Sequence, residues 1–481
     1  MAVLSDLKPE RVFFYFEKIS EIPRGSGDEW KISNYLKGWA AEKGIECIQD
    51  RIGNIIFKAP ATPGYENAET VILQGHMDMV CEKVPESTHD FKKDGLELFI
   101  DGDKIGAKGT TLGGDDGVAV AFIMAILDSD VPHPALECVI TISEETGMDG
   151  AIGIDLSGLK GKKLINLDSE KEGVITAGCA GGSDSFIKLP VQFHSVNAVR
   201  FDLRVHGLMG GHSGEEIDKG RANASYVIGR LFEALKRAGV LEGIISASGG
   251  TKHNVITPEA IGAVAVLDEN ADKAEAVLKE EFEDIKKAYG EFDPDMQLDI
   301  KRGEKAEQKV LVPVSEKAVL LLLNVLPQGV QSMMPSIKGL VQTSLNLGVM
   351  VLNDEILSLE ISVRSALARD RDYLIEKLRL MAEFVGAEFV PDGAYPPWEF
   401  VTDSKLQATA SAVFERMYGK KPVINTIHAG LECGLLGEKI PGLDAISIGP
   451  DMDDIHSPKE RLHIESTKRV YEYLLNILAE K

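Results

Sequence analysis

The sequence has no apolar run long enough to cross a bilayer, no paired cysteines and no basic cluster. Each shortage narrows the choice of function. The longest apolar stretches, 118–127 and 318–323, fall well short of the ~20 residues a membrane helix needs. The first residues carry no apolar signal core, and 9–19 reads instead as an amphipathic helix. The five cysteines (Cys47, Cys81, Cys138, Cys179 and Cys433) are odd in number, scattered and free of any CxxC pair. That pattern fits reduced thiols of the cytoplasm, and neither a disulfide framework nor a Cys-based zinc site. With 52 basic against 76 acidic side chains the formal net charge is −24. Nucleic acid and anionic membrane surfaces are poor partners for such a chain. There is no repeat of short fixed period and no low-complexity tract.

What remains is a chain of 481 residues with 44% apolar content, enough for two to four globular domains at roughly 100–200 residues each. Through the first ~180 residues, strand-like and helix-like stretches alternate, as in an α/β domain. Strands are expected at 70–73, 136–142 and 163–167, and a helix at 118–127. GCAGGS at 178–183 reads as a flexible break. From about 187 to 395 the texture changes to α+β. Strands are expected near 199–205 and 260–267, with helices near 220–237 and 271–289. A hairpin should pair 343–352 with 356–363 across Asn353 and Asp354. Tyr395, Pro396 and Pro397 mark a linker. A helix over 404–418, strands at 423–427 and 445–448 and a helix from about 466 follow. This gives a catalytic domain at 1–186 and 396–481, interrupted by an insertion at 187–395.

Hard donor residues follow the expected strands. His76 and Asp78 lie in GHMDMV, Asp115 and Asp116 in TTLGGDDG, Glu144 and Glu145 in SEETG, Asp168 in NLDSE, and His456 in IHSPKE. Taken singly, HxD is an ordinary solvated turn, a Glu pair ordinary surface charge, and an Asp after a strand an ordinary helix cap. Taken together, successive strand ends that finish in imidazoles and carboxylates make an N/O cage for divalent metal. A carboxylate such as Asp115 can bridge a pair of ions.

GHMDMV, TTLGGDDGVAVA, SEETGMDGA, NLDSE, GLMGGHSG, KHNVI and IHSPKE, in that order, resemble the motifs of the two-zinc exopeptidase family, above all those of its aminoacyl-histidine dipeptidases. GCAGG, ISVRS and HAGLECG extend the likeness over nearly the whole chain. The resemblance implies an α/β fold, a mixed sheet flanked by helices and interrupted by an inserted α+β lid and dimerisation domain. It implies two divalent ions, zinc in the first place, at sites that Co2+ or Mn2+ would also suit. Asp115 would bridge them, His76 and Asp168 would serve one, and Glu145 and His456 the other. Asp78 would orient His76, Glu144 would be the general base toward a water activated by the two metals, and the peptide bond after Asp115 would be cis. His212 would reach the scissile carbonyl oxygen. Asn254 and Arg364 would grip the substrate, Arg364 by bidentate geometry, and Gly430 and Glu432 would line its pocket. Glu432 could meet a substrate amine or imidazole, or simply face solvent.

Two departures stand out. Ser362 replaces the Asp of the family's D-x-R pattern, and HAGLECG replaces the G-T-D type of loop. Of the other histidines, His253 and His428 are expected nearest the site. The activity implied is hydrolysis of short unblocked dipeptides, Xaa-His and carnosine-like ones included, by a cytoplasmic homodimer joined through the insertion. An N-acyl amino acid amidohydrolase, a broader di- or tripeptidase and a non-catalytic metal-binding protein are the alternatives.

Overall fold

The computed structural model describes residues 3–335, 337 and 339–480. It forms two compact units. The first comprises Met1–Cys179, Phe400–Thr426 and Leu431–Lys481; the second comprises Ala180–Glu399 and Ile427–Gly430.

The first unit is built on an eight-stranded mixed sheet. Its order runs Glu46–Gln49, Ile55–Ala59, Leu136–Thr141, Val71–His76, Lys163–Asn166, Asp444–Ser447, Val174–Cys179 and Val423–Ile427. Val71–His76 is parallel to both Leu136–Thr141 and Lys163–Asn166. Every residue of the first two of these strands is buried, as expected for parallel strands covered on both faces. The helix Gly114–Leu127 is buried along almost its whole length. It packs with Glu10–Ser20 into a core that includes Phe13, Phe16, Phe57, Phe122 and Tyr471. Its first residues depart from helix: Asp115 has ψ 107° and Asp116 ψ 36°, and the peptide bond between them is cis. A smaller four-stranded sheet joins Leu98–Asp101 and Lys104–Ala107 to Arg461–His463 and Met452–Asp453.

The second unit holds a nine-stranded sheet, entirely antiparallel in its registered pairs, with Gln297–Leu311 and Glu388–Tyr395 at its edges. The helices Ala224–Arg237, Ala271–Tyr289, Pro313–Val325 and Ala368–Phe384 contribute its apolar core with the sheet's inner face. Val341–Leu352 and Ile356–Ser365 pair as an antiparallel hairpin. Asn353 Oδ1 accepts from the backbone N–H of Glu355 and Ile356, each at 2.9 Å, which fixes the turn. The GCAGGS segment is not the flexible break its glycines suggested. It lies in the strands Val174–Cys179 and Gly181–Pro190. A Cβ at Gly181 or Gly182 would collide with Pro397 or Tyr395, so these glycines permit close packing and do not loosen the chain. No helix among the described residues is long and apolar enough to cross a membrane.

Candidate metal centre and active site

Three parallel strands end side by side, and their carboxyl ends carry the polar residues, where open α/β sheets place their ligands. His76 closes Val71–His76, and Asp78 follows two residues on. Glu144 and Glu145 open the single turn Glu144–Gly147 beyond Leu136–Thr141. Asp168 follows Lys163–Asn166. Asp115 stands at the irregular start of the buried helix. A glycine at position 75 is required, because a Cβ there would run into the Asp116 carboxylate and Ala119.

The side chains converge. His76 Nε2 lies 3.1 Å from Asp115 Oδ1 and 3.7 Å from Asp168 Oδ1. His456 Nε2 lies 3.2 Å from Asp115 Oδ2 and 3.0 Å from Glu145 Oε1. Asp115 thus presents one oxygen to each imidazole. His456 adopts φ 58°, a left-handed backbone that costs a residue with a Cβ and is characteristic of functional sites. Asp78 is fully buried. Its Oδ1 lies 3.2 Å from His76 Nδ1 and accepts from the Glu144 N–H at 3.1 Å, and its Oδ2 accepts from the Glu145 N–H at 3.3 Å. One carboxylate therefore fixes both the imidazole and the turn bearing the two glutamates.

The electrostatics are those of an acid-rich cluster whose carboxylates are largely buried. Burial pushes the Asp168 carboxyl up to about 7 and that of Glu144 well above the usual range. Burial works against charge on His76, but Asp115, Asp168 and Asp78 outweigh it and hold the imidazole well above its ordinary value. Hydrogen bonds to Asp115 and Glu145 lift His456 to about 11. Among the described residues, the ion-pair partners of Asp115, Asp168 and Glu145 are His76 and His456, with no lysine or arginine. Burying several carboxylates without matching cations is costly unless a cation is bound. The donor set fits divalent metal on these grounds. His76, Asp115 and Asp168 form one group able to hold an ion, and Asp115, Glu145 and His456 form another that shares Asp115; His76 also groups with Glu144 and Glu145.

Sequence reasoning overlooked Glu460, although it lies within the IHSPKE motif. This buried carboxylate accepts from the backbone N–H of Leu112 and Gly113 on one oxygen (2.7 and 3.0 Å). On the other it accepts from Gly114 and Asp115 (2.7 and 3.4 Å). It holds the glycine turn that aims Asp115. The only signal in the sequence was a charged residue four positions beyond His456.

Glu432 does not face solvent. It is fully buried, and its Oε2 accepts from Gln74 Nε2 at 2.5 Å and Thr141 Oγ1 at 2.6 Å. Gln74 in turn accepts from Asn166 Nδ2 at 2.6 Å, so a buried polar chain crosses the three ligand-bearing strands just behind their ends.

The other expected substrate residues belong to the second unit. His212 is half-buried, and its Nδ1 accepts from the Glu215 N–H at 3.1 Å. The ring proton must then sit on Nε2. Burial first, and Arg364 second, hold this imidazole below its ordinary pKa, which favours the neutral form, and among the described residues its Nε2 makes no hydrogen bond. A Cβ at Gly214 would contact His212, Arg364 and the His428 carbonyl together, which places those three residues around one point. Arg364 donates from Nη1 to Tyr395 Oη at 2.9 Å. His428 is buried, with Nε2 2.7 Å from Ser344 Oγ. The Asn254 carbonyl accepts from the Ser213 N–H at 2.9 Å, beside His212. His253 pairs with Asp184 at 2.8 Å. Gly430 is half-buried at the end of the 427–430 segment.

A sheet whose strand ends collect an N/O cluster with one shared carboxylate defines a candidate dinuclear metal centre, and comparison with known proteins says of which class. Residues 72–480 match the model of peptidase family M20/M25/M40. The chain belongs to that family and is a hydrolase of peptide bonds. It is 38% identical to the cytosol non-specific dipeptidase of Escherichia coli (strain K12) over 485 residues, covering 100% of this chain and 99% of the other. The crystal structure of an aminoacylhistidine dipeptidase from Vibrio alginolyticus superposes with a TM-score of 0.91 at 36% identity, covering 99% and 97% of the two chains. A tripeptidase from Staphylococcus aureus shares the fold, with a TM-score of 0.55 at 15% identity and 98% of each chain covered.

Proposed function

We propose that this chain is a cytoplasmic, two-metal dipeptidase that hydrolyses short unblocked dipeptides, Xaa-His dipeptides such as β-alanyl-histidine among them. The observation that carries the reading is the pair of ligand groups sharing Asp115. His76 and Asp168 would hold one ion, Glu145 and His456 the other, and Asp115, common to both groups, would serve the two. When bound, two divalent ions, zinc by donor chemistry, polarise a carbonyl and lower the pKa of water toward neutrality.

The chain's own residues do the rest. Asp78 fixes His76 and the backbone of Glu144 and Glu145. Glu144, whose carboxylate makes no hydrogen bond to another side chain among the described residues, accepts the proton of the attacking water and passes it to the leaving amine. His212 offers Nε2–H to a carbonyl oxygen. Arg364 supplies a planar cation for a carboxylate, and Asn254 and Gly430 supply polar groups that orient a peptide. Glu432 braces the strand ends from behind. The dipeptidase relatives, one named non-specific and the other aminoacylhistidine, support a broad dipeptide range that includes C-terminal histidine.

The test is a panel of β-alanyl-histidine, leucyl-histidine, leucyl-leucine and their N-acetylated forms, assayed with and without chelator, with Glu144→Ala as the blank. Chelator-sensitive cleavage of the free dipeptides, lost in the variant, is expected. Cleavage of the acetylated compounds alone would move the chain to acyl amino acid hydrolysis. No cleavage with two metals bound would end the catalytic reading.

A further inference from the structure

The segment 24–29 precedes every motif residue and lies outside the stretch matched by the family model, which begins at residue 72. Three of its side chains nevertheless reach three separate loops of the cluster. Arg24 is 2% exposed. Its Nη1 donates to the carbonyls of Met77 (3.1 Å) and Asp78 (3.0 Å), and its Nη2 to that of Gly113. Ser26 Oγ donates to Asp78 Oδ2 at 2.8 Å. Glu29 is 5% exposed. Its Oε1 accepts from the backbone N–H of Ser143 at 3.0 Å, from Ser143 Oγ at 2.9 Å and from the Gly27 N–H at 2.8 Å. The backbone runs alongside as well, since Gly25 bridges to Met79 in parallel.

Packing alone does not account for this arrangement. A buried guanidinium and a buried carboxylate each carry a desolvation cost that apolar side chains of similar volume would avoid. Among the described residues Arg24 Nε has no hydrogen-bond partner, so even its own hydrogen bonding is incomplete. The chain also keeps room for the guanidinium: a Cβ at Gly113 or at Gly117 would collide with it. Each contact lands one or two residues from a group with a proposed role. Met77 and Asp78 follow His76, Gly113 precedes Asp115, and Ser143 precedes Glu144. Ser143 is held at φ 52°, a left-handed conformation that needs outside support, and the Glu29 carboxylate takes both of its donors.

We propose that Arg24, Ser26 and Glu29 form a positioning cradle that sets the geometry of the metal ligands and of the general base. Glu29 fixes the turn that aims Glu144 and Glu145, Ser26 completes the hydrogen-bonding of Asp78, and Arg24 ties the His76 loop to the Asp115 turn. The inference rests on the dipeptidase reading for its kinetic consequence but not for its effect on metal affinity.

The experiment compares the parent with Ser26→Ala, Glu29→Ala and Glu29→Gln. Zinc affinity is measured by competition with a chromophoric chelator, kcat and KM on leucyl-histidine at saturating zinc, and folding by thermal unfolding. Partners behind metal ligands typically contribute about 10–100-fold to affinity or activity. Glu29→Ala is expected to lose about 10–100-fold in zinc affinity and in kcat with KM within about twofold. Ser26→Ala should lose about tenfold in zinc affinity. Glu29→Gln should recover most of the loss, because its amide oxygen still accepts from Ser143. Ser26→Ala deletes a single hydroxyl and carries the test if the Glu29→Ala chain does not fold. Variants that keep zinc affinity and kcat within about twofold of the parent, whatever their unfolding temperature, would overturn the cradle. A parent that binds zinc but cleaves no dipeptide would end the functional reading, and the zinc affinities alone would then decide for or against the cradle.

Discussion

At the scale of single residues, the chemistry concentrates in side chains that a fold could do without. Glu144 is the sharpest case. Its backbone is pinned by Asp78, while its carboxylate stands among acids in a buried setting. Replacing it with Gln preserves shape and removes only the ability to take a proton. Glu144→Gln should keep two bound metals and an unchanged unfolding temperature while kcat falls by about 10²–10⁴-fold, the usual worth of a positioned base. Metal content with turnover on a dipeptide checks it, and undiminished turnover would remove Glu144 from the reaction. His212→Ala should lower kcat by about 10²–10³-fold, as loss of one oxyanion donor does, measured on the same substrate.

Asp78, Glu144, Glu145 and Asp168 were legible as candidates in the sequence because each stands just past a strand in a motif of hard donors. The supporting residues were not. Glu460 binds backbone N–H groups near residue 113, far off in sequence, and the donors it meets are main-chain atoms that leave no mark in the residue string. Glu432 was ambiguous for a related reason. A carboxylate in HAGLECG looks the same whether it meets solvent, substrate or the buried Gln74 and Thr141.

At the scale of elements, hydrophobic pattern decided what could be read. The helix Ala271–Tyr289 and the strand Val423–Ile427 have the bounds that their periodicity suggests, and the hairpin at Asn353 forms as its turn residues imply. Gln297–Leu311 left no such trace. It is an edge strand, exposed over most of its length and studded with Lys, Arg and Glu, the composition that discourages edge-to-edge pairing. Only Leu298 and Ile300, at its start, show the alternation that marks a strand, and the charged run from Lys301 to Lys309 hides the rest. The buried helix Gly114–Leu127 bears on function directly, because Asp115 begins it and the core fixes its position. Phe122 has no exposed surface and meets Tyr471 in a tilted ring contact, with centroids 5.3 Å apart. Phe122→Ala should destabilise the protein by about 3–5 kcal/mol, read by chemical denaturation. A loss below about 1 kcal/mol would mean the helix is held some other way.

At the scale of the whole molecule, stability should depend on metal and on pH for separable reasons. A cluster with more buried carboxylates than imidazoles to offset them favours the folded state only with cations in place. Zinc held at ~1,000 times its Kd would add about 4 kcal/mol, so excess chelator should lower the unfolding temperature and restored zinc should return it. Glu144→Gln, which leaves the ligands intact, should respond in the same way as the parent.

The pH effect lies elsewhere. Burial, then the neighbouring Arg364 and His212, push His428 down to about 3 from an ordinary 6.5. In the folded protein it stays neutral under mild acid, while in the unfolded chain it takes up a proton below about 6.5. Between those values the unfolded state binds more protons, so stability is complete above pH 6.5 and falls as pH drops, by about 2 kcal/mol on reaching pH 5. Removing the titrating group removes that slope. His428→Gln loses the ring and should be somewhat less stable at pH 8, yet its unfolding temperature should decline less than the parent's between pH 7 and 5, with zinc saturating in both. Equal declines would show that His428 titrates normally and that its burial does not govern the acid limit of the fold.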